Sequence, residues 1–396
     1  MAELLEHLKP LVGEEHIAVR EGVVVVSPKN TSEVAAVLGF ADRHGVKVRP
    51  VGGRTKLGWG AACEAQIELS LLRLNRVVDH PWQDLTCTVQ AGCTWQALED
   101  TLARHGQFVA LDALWPEKAT VGGVCATNDS GALRHRYGSL RDQVLGMTIV
   151  LADGTIAKTG GRVVKNVAGY DLPKLMVGSM GTLAVITEVT FRLYSLPLHS
   201  RSFTVAADTA AKLAPLMQAI RDSHLAVQVL QMRGDASGFA LDVEINAHPD
   251  AGQDAMLAEI VVKNGLSLQP GFWLYAERDK LWEHERLILK ATIRPNDLAS
   301  YAQEIVDKDG SFVAQSIGIV YAAFARDETT VRLAEEFRYH LDLQGGTSTV
   351  LKGNSEMDPV VGMSNIGPLM QAIKVQFDAN NTLNPLVNQT SSQPAI

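Results

Sequence analysis

Three glycine-bearing segments in the first half of the chain limit what it can fold into more than any other feature. In RPVGGRTKLGWG, Arg49 to Gly60, a short strand runs into Gly52-Gly53, where the backbone can turn tightly and present N–H groups outward. Arg54, Thr55 and Lys56 add donors. In ATVGGVCATNDSG, Ala119 to Gly131, bulk and charge nearly vanish, and Thr127, Asn128 and Ser130 offer short polar groups at close range. In NVAGYDLPKLMVGSMGTLAVIT, Asn166 to Thr187, Gly178 and Gly181 precede a strand whose main chain can face a flat base edge. None is a G-K-[ST] phosphate loop, and Gly58-x-Gly60-x-x-Cys63 misses both the dinucleotide fingerprint and its strand–loop–helix context. Three such loops suit one extended dinucleotide that touches each in turn. Bulky side chains at Gly122 or Gly123 would then occupy phosphate space. Asp129 would repel a diphosphate, so its carboxylate is expected to turn toward a backbone donor or solvent.

The elements between these segments are regular. Val23–Val26 reads as a buried strand. Asn30 with Glu33 caps a helix that carries Val34, Val37, Leu38 and Ala41 and stops at Gly45. Thr94 caps a second helix with Trp95, Leu98 and Leu102. MTIVLADGTIAKT reads as a hairpin closed by Asp153-Gly154 in a tight primed turn. The texture changes after Pro197: strand–helix–strand–strand–helix recurs, with no strict repeat of residues. That order predicts an α+β domain with an antiparallel sheet and helices on one face.

The 396 residues, 46% hydrophobic and 20% charged, make an ordinary globular composition with room for two or three domains. A net charge of −8 argues against nucleic acid as a partner, although Arg134, Arg136 and Arg141 form a local basic patch. Cys63, Cys87, Cys93 and Cys125 form no C-x-x-C pair and no iron–sulfur grouping; they read as small buried hydrophobes of a reducing cytoplasm. The amphipathic start, with Leu4, Leu5 and Leu8 on one side, is not a signal peptide, and no apolar run is long enough to span a membrane.

Taken in order, PVGGRTKLG, VQAGCTWQALEDTLARHG, the stretch from Ala119 to Thr155 and NVAGYDLPKLMVGSMGTLAVITEVTFRL resemble the vanillyl-alcohol-oxidase (PCMH-type) family of FAD-binding domains, closest to the E-type subunits of bacterial glycolate oxidase complexes. The likeness is close over residues 20–197, looser beyond, and returns in IKVQFDANNTLNP, Ile373 to Pro385. It implies an α+β fold: a PCMH-type FAD domain of two α+β subdomains over 1–197, a ferredoxin-like α+β domain over 198–360, and a C-terminal segment, 361–396, returning to the FAD domain. It implies that Gly52, Gly53, Arg54 and Thr55 meet the pyrophosphate, and that Thr120, Gly122, Gly123, Thr127, Asn128, Ser130 and Gly131 line the pyrophosphate and flavin side. Gly181 and Ile186 would sit near the adenosine, with Tyr137 and Lys165 as neighbours. The first loop has no His or Cys between Arg49 and Gly60, which implies non-covalent FAD; Cys125 and His135 leave a tether in the second loop open.

The second half departs from members that oxidise 2-hydroxy acids. Their H-x-G-D-G-N-x-H stretch is missing, and SEMDPVVG, with Glu356 and Met357, stands where E-H-G is expected. His199, His224, His248, His284 and His340 are isolated along the chain. No metal site is expected, and no catalytic residue is assigned. The resemblance implies a cytoplasmic flavoprotein subunit, reaching membranes only through partners, beside a homologous FAD-binding catalytic subunit and an iron–sulfur subunit, with glycolate as the substrate of the complex. A self-sufficient 2-hydroxy-acid dehydrogenase and a structural flavoprotein are the alternatives.

Overall fold

Four consecutive valines suit a strand covered on both faces, and Val23–Val26 is buried between two neighbouring strands. The computed structural model describes residues 1–59, 63–161, 171–271, 274–284, 286–353, 357, 360–362 and 367–386. It divides into two compact units: Met1–Asp129, Ser139–Leu196 and Asn365–Ile396 make the first, Ser130–Gly138 and Pro197–Ser364 the second.

The first unit holds two main sheets. β1 (Ile17–Arg20), β2 (Val23–Val26), β3 (Val48–Val51) and β4 (Ile67–Ser70) lie in the order β1-β2-β4-β3, with β2 and β3 parallel to β4. The crossover helix Thr31–Arg43 starts as the sequence predicts: Asn30 Oδ1 accepts from Glu33 N at 2.9 Å, and Glu33 reaches back to Lys29 N. β5 (Val77–Asp79), β6 (Thr86–Gln90), β8 (Val144–Val150), β9 (Ile156–Gly160) and β10 (Val185–Arg192) form the antiparallel order β5-β6-β10-β8-β9, while β7 (Gln107–Phe108) pairs with β11 (Tyr194–Ser195). One core joins these layers, with Leu8, Val37, Leu38, Trp95 and Leu98 from the helices inside it. The expected hairpin is β8–β9, but its turn differs. Gly154 N donates to Leu151 O and Leu151 N to Thr155 O, and only Gly154 has positive φ (90°). This is a three-residue turn ending in a left-handed glycine rather than a primed two-residue turn.

Among the described residues, the second unit holds one nine-stranded antiparallel sheet. β12 (Ser200–Ala207), helix Ala210–Arg221, β13 (Val227–Asp235), β14 (Gly238–Asn246), helix Gln253–Lys263 and β15 (Gln269–Pro270) make one βαββαβ module. β16 (Leu287–Thr292), helix Leu298–Asp307, β17 (Ser311–Gln315), β18 (Ile319–Phe324), helix Glu328–Leu343 and β19 (Thr347–Lys352) make another, and β20 (Val360–Val361) extends its edge. The sheet order, β15-β12-β14-β13-β17-β18-β16-β19-β20, is two ferredoxin-like sheets joined through β13 and β17, in register Gln231↔Gln315. The duplication leaves no repeat in the sequence, because each module needs only the alternation and the element order, not the same side chains. Leu241, Val243 and Ile245 share the core with the four helices; the alternate residues Asp242 and Glu244 lie on the opposite face, where Arg233, Tyr275 and the short helix Glu277–Lys280 cover them.

Candidate FAD-binding site

β3 delivers the first glycine pair against the second glycine segment. A Cβ on Gly52 would lie 2.1 Å from Thr120 Oγ1, and one on Gly53 1.6 Å from the Lys118 carbonyl oxygen. Both glycines therefore let two loops touch. Arg54 follows with φ 59°, a conformation costly for a side-chain-bearing residue. Its guanidinium pairs with buried Glu68 on β4, which also holds Arg49. Lys56 is nearly buried, with Nζ 3.2 Å from Asp129 Oδ2 and between the rings of Trp59 and Trp115, 5.7 and 5.4 Å from their centroids. Asp129 is fully buried, and its Oδ2 also accepts from Leu114 N at 2.8 Å. It turns to a backbone donor as expected, but to a buried lysine instead of solvent.

The second segment is a short helix, Val121–Thr127. Thr120 caps it by accepting from Gly123 N at 3.4 Å, and the Thr127 hydroxyl donates to Gly123 O at 2.8 Å. Gly122 clears Ala91, whose Cβ would be 2.8 Å from an added methyl, so a side chain at Gly122 meets the protein before it meets any phosphate. This corrects the expectation for Gly122. Gly123 differs: an added Cβ meets only Thr120 Oγ1, at 3.3 Å. The third segment is tied to the second by Gly178 N→Cys125 O and Met180 N→Ala126 O, with Gly178, Met180 and Gly181 all at positive φ. The C-terminal segment closes the same region. Lys374, fully buried, donates to Thr182 O at 2.8 Å, to Asn384 O at 3.0 Å and to the Asp378 carboxylate.

These parts line a cleft, open to solvent, within the first unit. Gly52, Gly53, Arg54, Thr55, Thr120, Gly122, Gly123, Thr127, Gly181 and Ile186 line it, as do Arg49, Lys56, Met180, Asn384 and Pro385. Asn128, at φ 48°, ends the helix and does not line it. Ser130 and Gly131 belong to the second unit, where the Ser130 carbonyl accepts from Gln315 and Tyr321. Tyr137 belongs there too, and Lys165 and Glu356 lie outside the described residues. Each cation at the cleft faces a carboxylate, so backbone N–H groups are left as the main donors for an anionic ligand.

Sequence reasoning named Lys56 as a donor of the first loop but missed Arg49 and Asn384 as lining residues. Asn384 stands in TLNP, inside the segment that carried the resemblance, and that was its available signal. Cys125 is fully buried and burial pushes its thiol up, while Cys63, past the first loop, is half-buried at the cleft with its thiol also raised by burial. His135, in the second unit, sits 2.7 Å from Ser316 Oγ, and burial with Arg221 and Arg136 lowers it to about 4. His199 and His248, isolated in sequence, meet edge to face at 5.0 Å. Among the described residues no group of His, Cys, Asp and Glu could hold a metal ion, and no described helix is long and apolar enough to cross a membrane.

Residues 23–160 match the family model described as an FAD binding domain, which spans both of the first two loops. The chain is 37% identical over 216 residues to the mitochondrial D-lactate dehydrogenase [cytochrome] of Arabidopsis thaliana, covering 53% of this chain and 38% of that protein. It is 42% identical over 189 residues to a D-lactate dehydrogenase of Archaeoglobus fulgidus (47% and 41%), and 34% identical over 205 residues to glycolate oxidase subunit GlcD of Bacillus subtilis (48% and 43%). The matches thus span less than half of these relatives' length. Among solved structures, an alkyldihydroxyacetonephosphate synthase superposes with TM-score 0.74 at 16% identity, covering 97% of this chain and 84% of that one. The 4-ethylphenol oxidase of Gulosibacter chungangensis, in its isoeugenol complex, gives 0.74 at 14%, covering 97% and 96%. The expected α+β fold of this class is therefore present, and FAD is the cofactor of the matched domain. The cleft fits it: Gly123 is a cradle that a methyl group would fill.

Proposed function

We propose that the chain is the FAD-binding, E-type subunit of a glycolate oxidase complex: it holds FAD non-covalently and takes part in electron transfer during oxidation of a 2-hydroxy acid, beside a homologous catalytic subunit and an iron–sulfur subunit. The observation that carries this reading is the convergence of three glycine segments and the TLNP segment on one cleft of the first unit. When bound, FAD accepts two electrons and can release them singly. Gly52, Gly53 and Thr55 would approach its pyrophosphate, Gly123 and Thr127 its flavin side, and Gly181 and Ile186 its adenosine. The Lys56–Asp129 pair holds the first two segments together.

A second reading, a self-sufficient FAD-dependent 2-hydroxy-acid dehydrogenase, is favoured by the names of the relatives, D-lactate dehydrogenases among them. The missing H-x-G-D-G-N-x-H stretch favours the subunit. The deciding experiment is glycolate-driven bleaching of flavin absorbance, with the purified yellow chain alone and again with its partner subunits. Bleaching only with partners, lost in Gly123→Val, is expected; full bleaching by the chain alone supports the dehydrogenase and overturns the subunit assignment. Acid precipitation should release the flavin into the supernatant.

A further inference from the structure

Among the described residues lining the cleft, two buried polar atoms have no hydrogen-bond partner: the donor Arg49 Nε and the acceptor Asn384 Oδ1. Both belong to side chains otherwise held in place. Arg49 donates through its other nitrogens to Cys63 O and Glu68. Asn384 donates Nδ2 to Met180 O at 2.8 Å, and its own carbonyl accepts from buried Lys374. Both line the cleft, and Cys63 links them: its carbonyl accepts from Arg49, and its thiol feels the charges of Arg49 and of Lys374, which holds the Asn384 main chain. A buried polar atom without a partner costs free energy, so a rigidly held donor and acceptor lining a ligand cleft mark groups that a ligand satisfies.

We infer that Arg49 and Asn384 are nucleobase-reading residues that select adenine. Adenine offers an exocyclic N–H donor beside a ring-nitrogen acceptor; guanine puts a carbonyl acceptor where adenine has its amine. Asn384 Oδ1 accepts from the amine, and Arg49 Nε donates to the ring nitrogen. Guanine instead sets its carbonyl against Asn384 Oδ1 and leaves both oxygens unpaired. Lys374 is a positioning residue, acting through the Asn384 main chain. This inference rests on FAD occupying the cleft, and it adds side-chain recognition of the base.

The test uses the full chain stripped of flavin, with FAD titrated by fluorescence quenching and ADP or GDP as competitor. ADP should compete about tenfold more tightly than GDP, the size of one hydrogen bond made against one left unmade. Asn384→Leu removes the acceptor and should bring the two nucleotides within about twofold and weaken FAD by a similar factor of about ten. Arg49→Lys keeps the charge but lacks Nε; it should also narrow the preference, and it decides the matter where Asn384→Leu does not fold. Equal competition by ADP and GDP in the unaltered chain, or an undiminished preference in the folded variants, overturns the inference. A chain that binds neither FAD nor ADP refutes the cofactor site itself, which is a different failure.

Discussion

Gly53 and Gly123 each close a Gly-Gly pair, yet they answer to different neighbours. At Gly53 the space a methyl would need is already filled by the Lys118 carbonyl; at Gly123 it is nearly empty. The first glycine exists so that two loops can pack, the second so that something else can approach. A glycine-rich motif is thus not uniformly a ligand motif, and the two kinds separate by what fails when a side chain is added.

The largest effect is expected from Gly53→Ala. Its methyl would overlap backbone, which cannot move aside as a flexible side chain could. The apoprotein should lose about 10 °C or more in Tm, or fail to fold; wild-type thermal stability would show that the loops do not pack this way. Lys56→Met comes next. It strands the Asp129 carboxylate in the interior, at a cost of about 3–5 kcal/mol in denaturant unfolding. Adding Asp129→Asn, which keeps an acceptor for Leu114 N, should restore more than half of that loss. If the double variant is no better than the single one, the pair does not join the segments.

Gly123→Ala should invert the Gly53 pattern. Apoprotein Tm should stay within about 2 °C, since alanine favours a helix over glycine and only the Thr120 hydroxyl must shift. FAD affinity should fall by about tenfold or more, as a methyl group enters ligand space; unchanged affinity would place the ligand elsewhere. The smallest effect is electrostatic. Glu99 is driven up to about 7, chiefly by burial, with the Trp95 indole N–H at 2.9 Å opposing. A carboxyl raised above its ordinary 4.5 keeps its proton in the folded chain after the unfolded chain has lost it. The first unit should therefore lose stability as pH rises from about 4.5 to 7 and level off above. Glu99→Gln, which keeps an acceptor for Trp95, should flatten that slope and raise Tm by about 3 °C at pH 8; a pH profile parallel to wild type would show that Glu99 is not buried neutral.

Much of the local structure was legible because its causes are local. Asn30 and Thr94 cap their helices through atoms three residues away, and β8–β9 forms from adjacent alternating runs. The hairpin turn was misread only in type, a choice set by one backbone angle at Gly154. The ferredoxin-like order after Pro197 was readable as a pattern of elements, while its duplication was not, since the two modules share topology and not residues.

By itself, then, the sequence determined the fold class, the caps, the three glycine segments and the nature of the cofactor, because those rest on short-range periodicity and on motifs kept in order. Only the tertiary structure decided which glycines face protein and which face the cleft, that Asp129 meets Lys56, that His199 meets His248, and that Asn384 reaches Met180. Those partners lie tens to hundreds of residues apart, and nothing in a local pattern fixes which distant backbone atom will fill the space beside a given Cα.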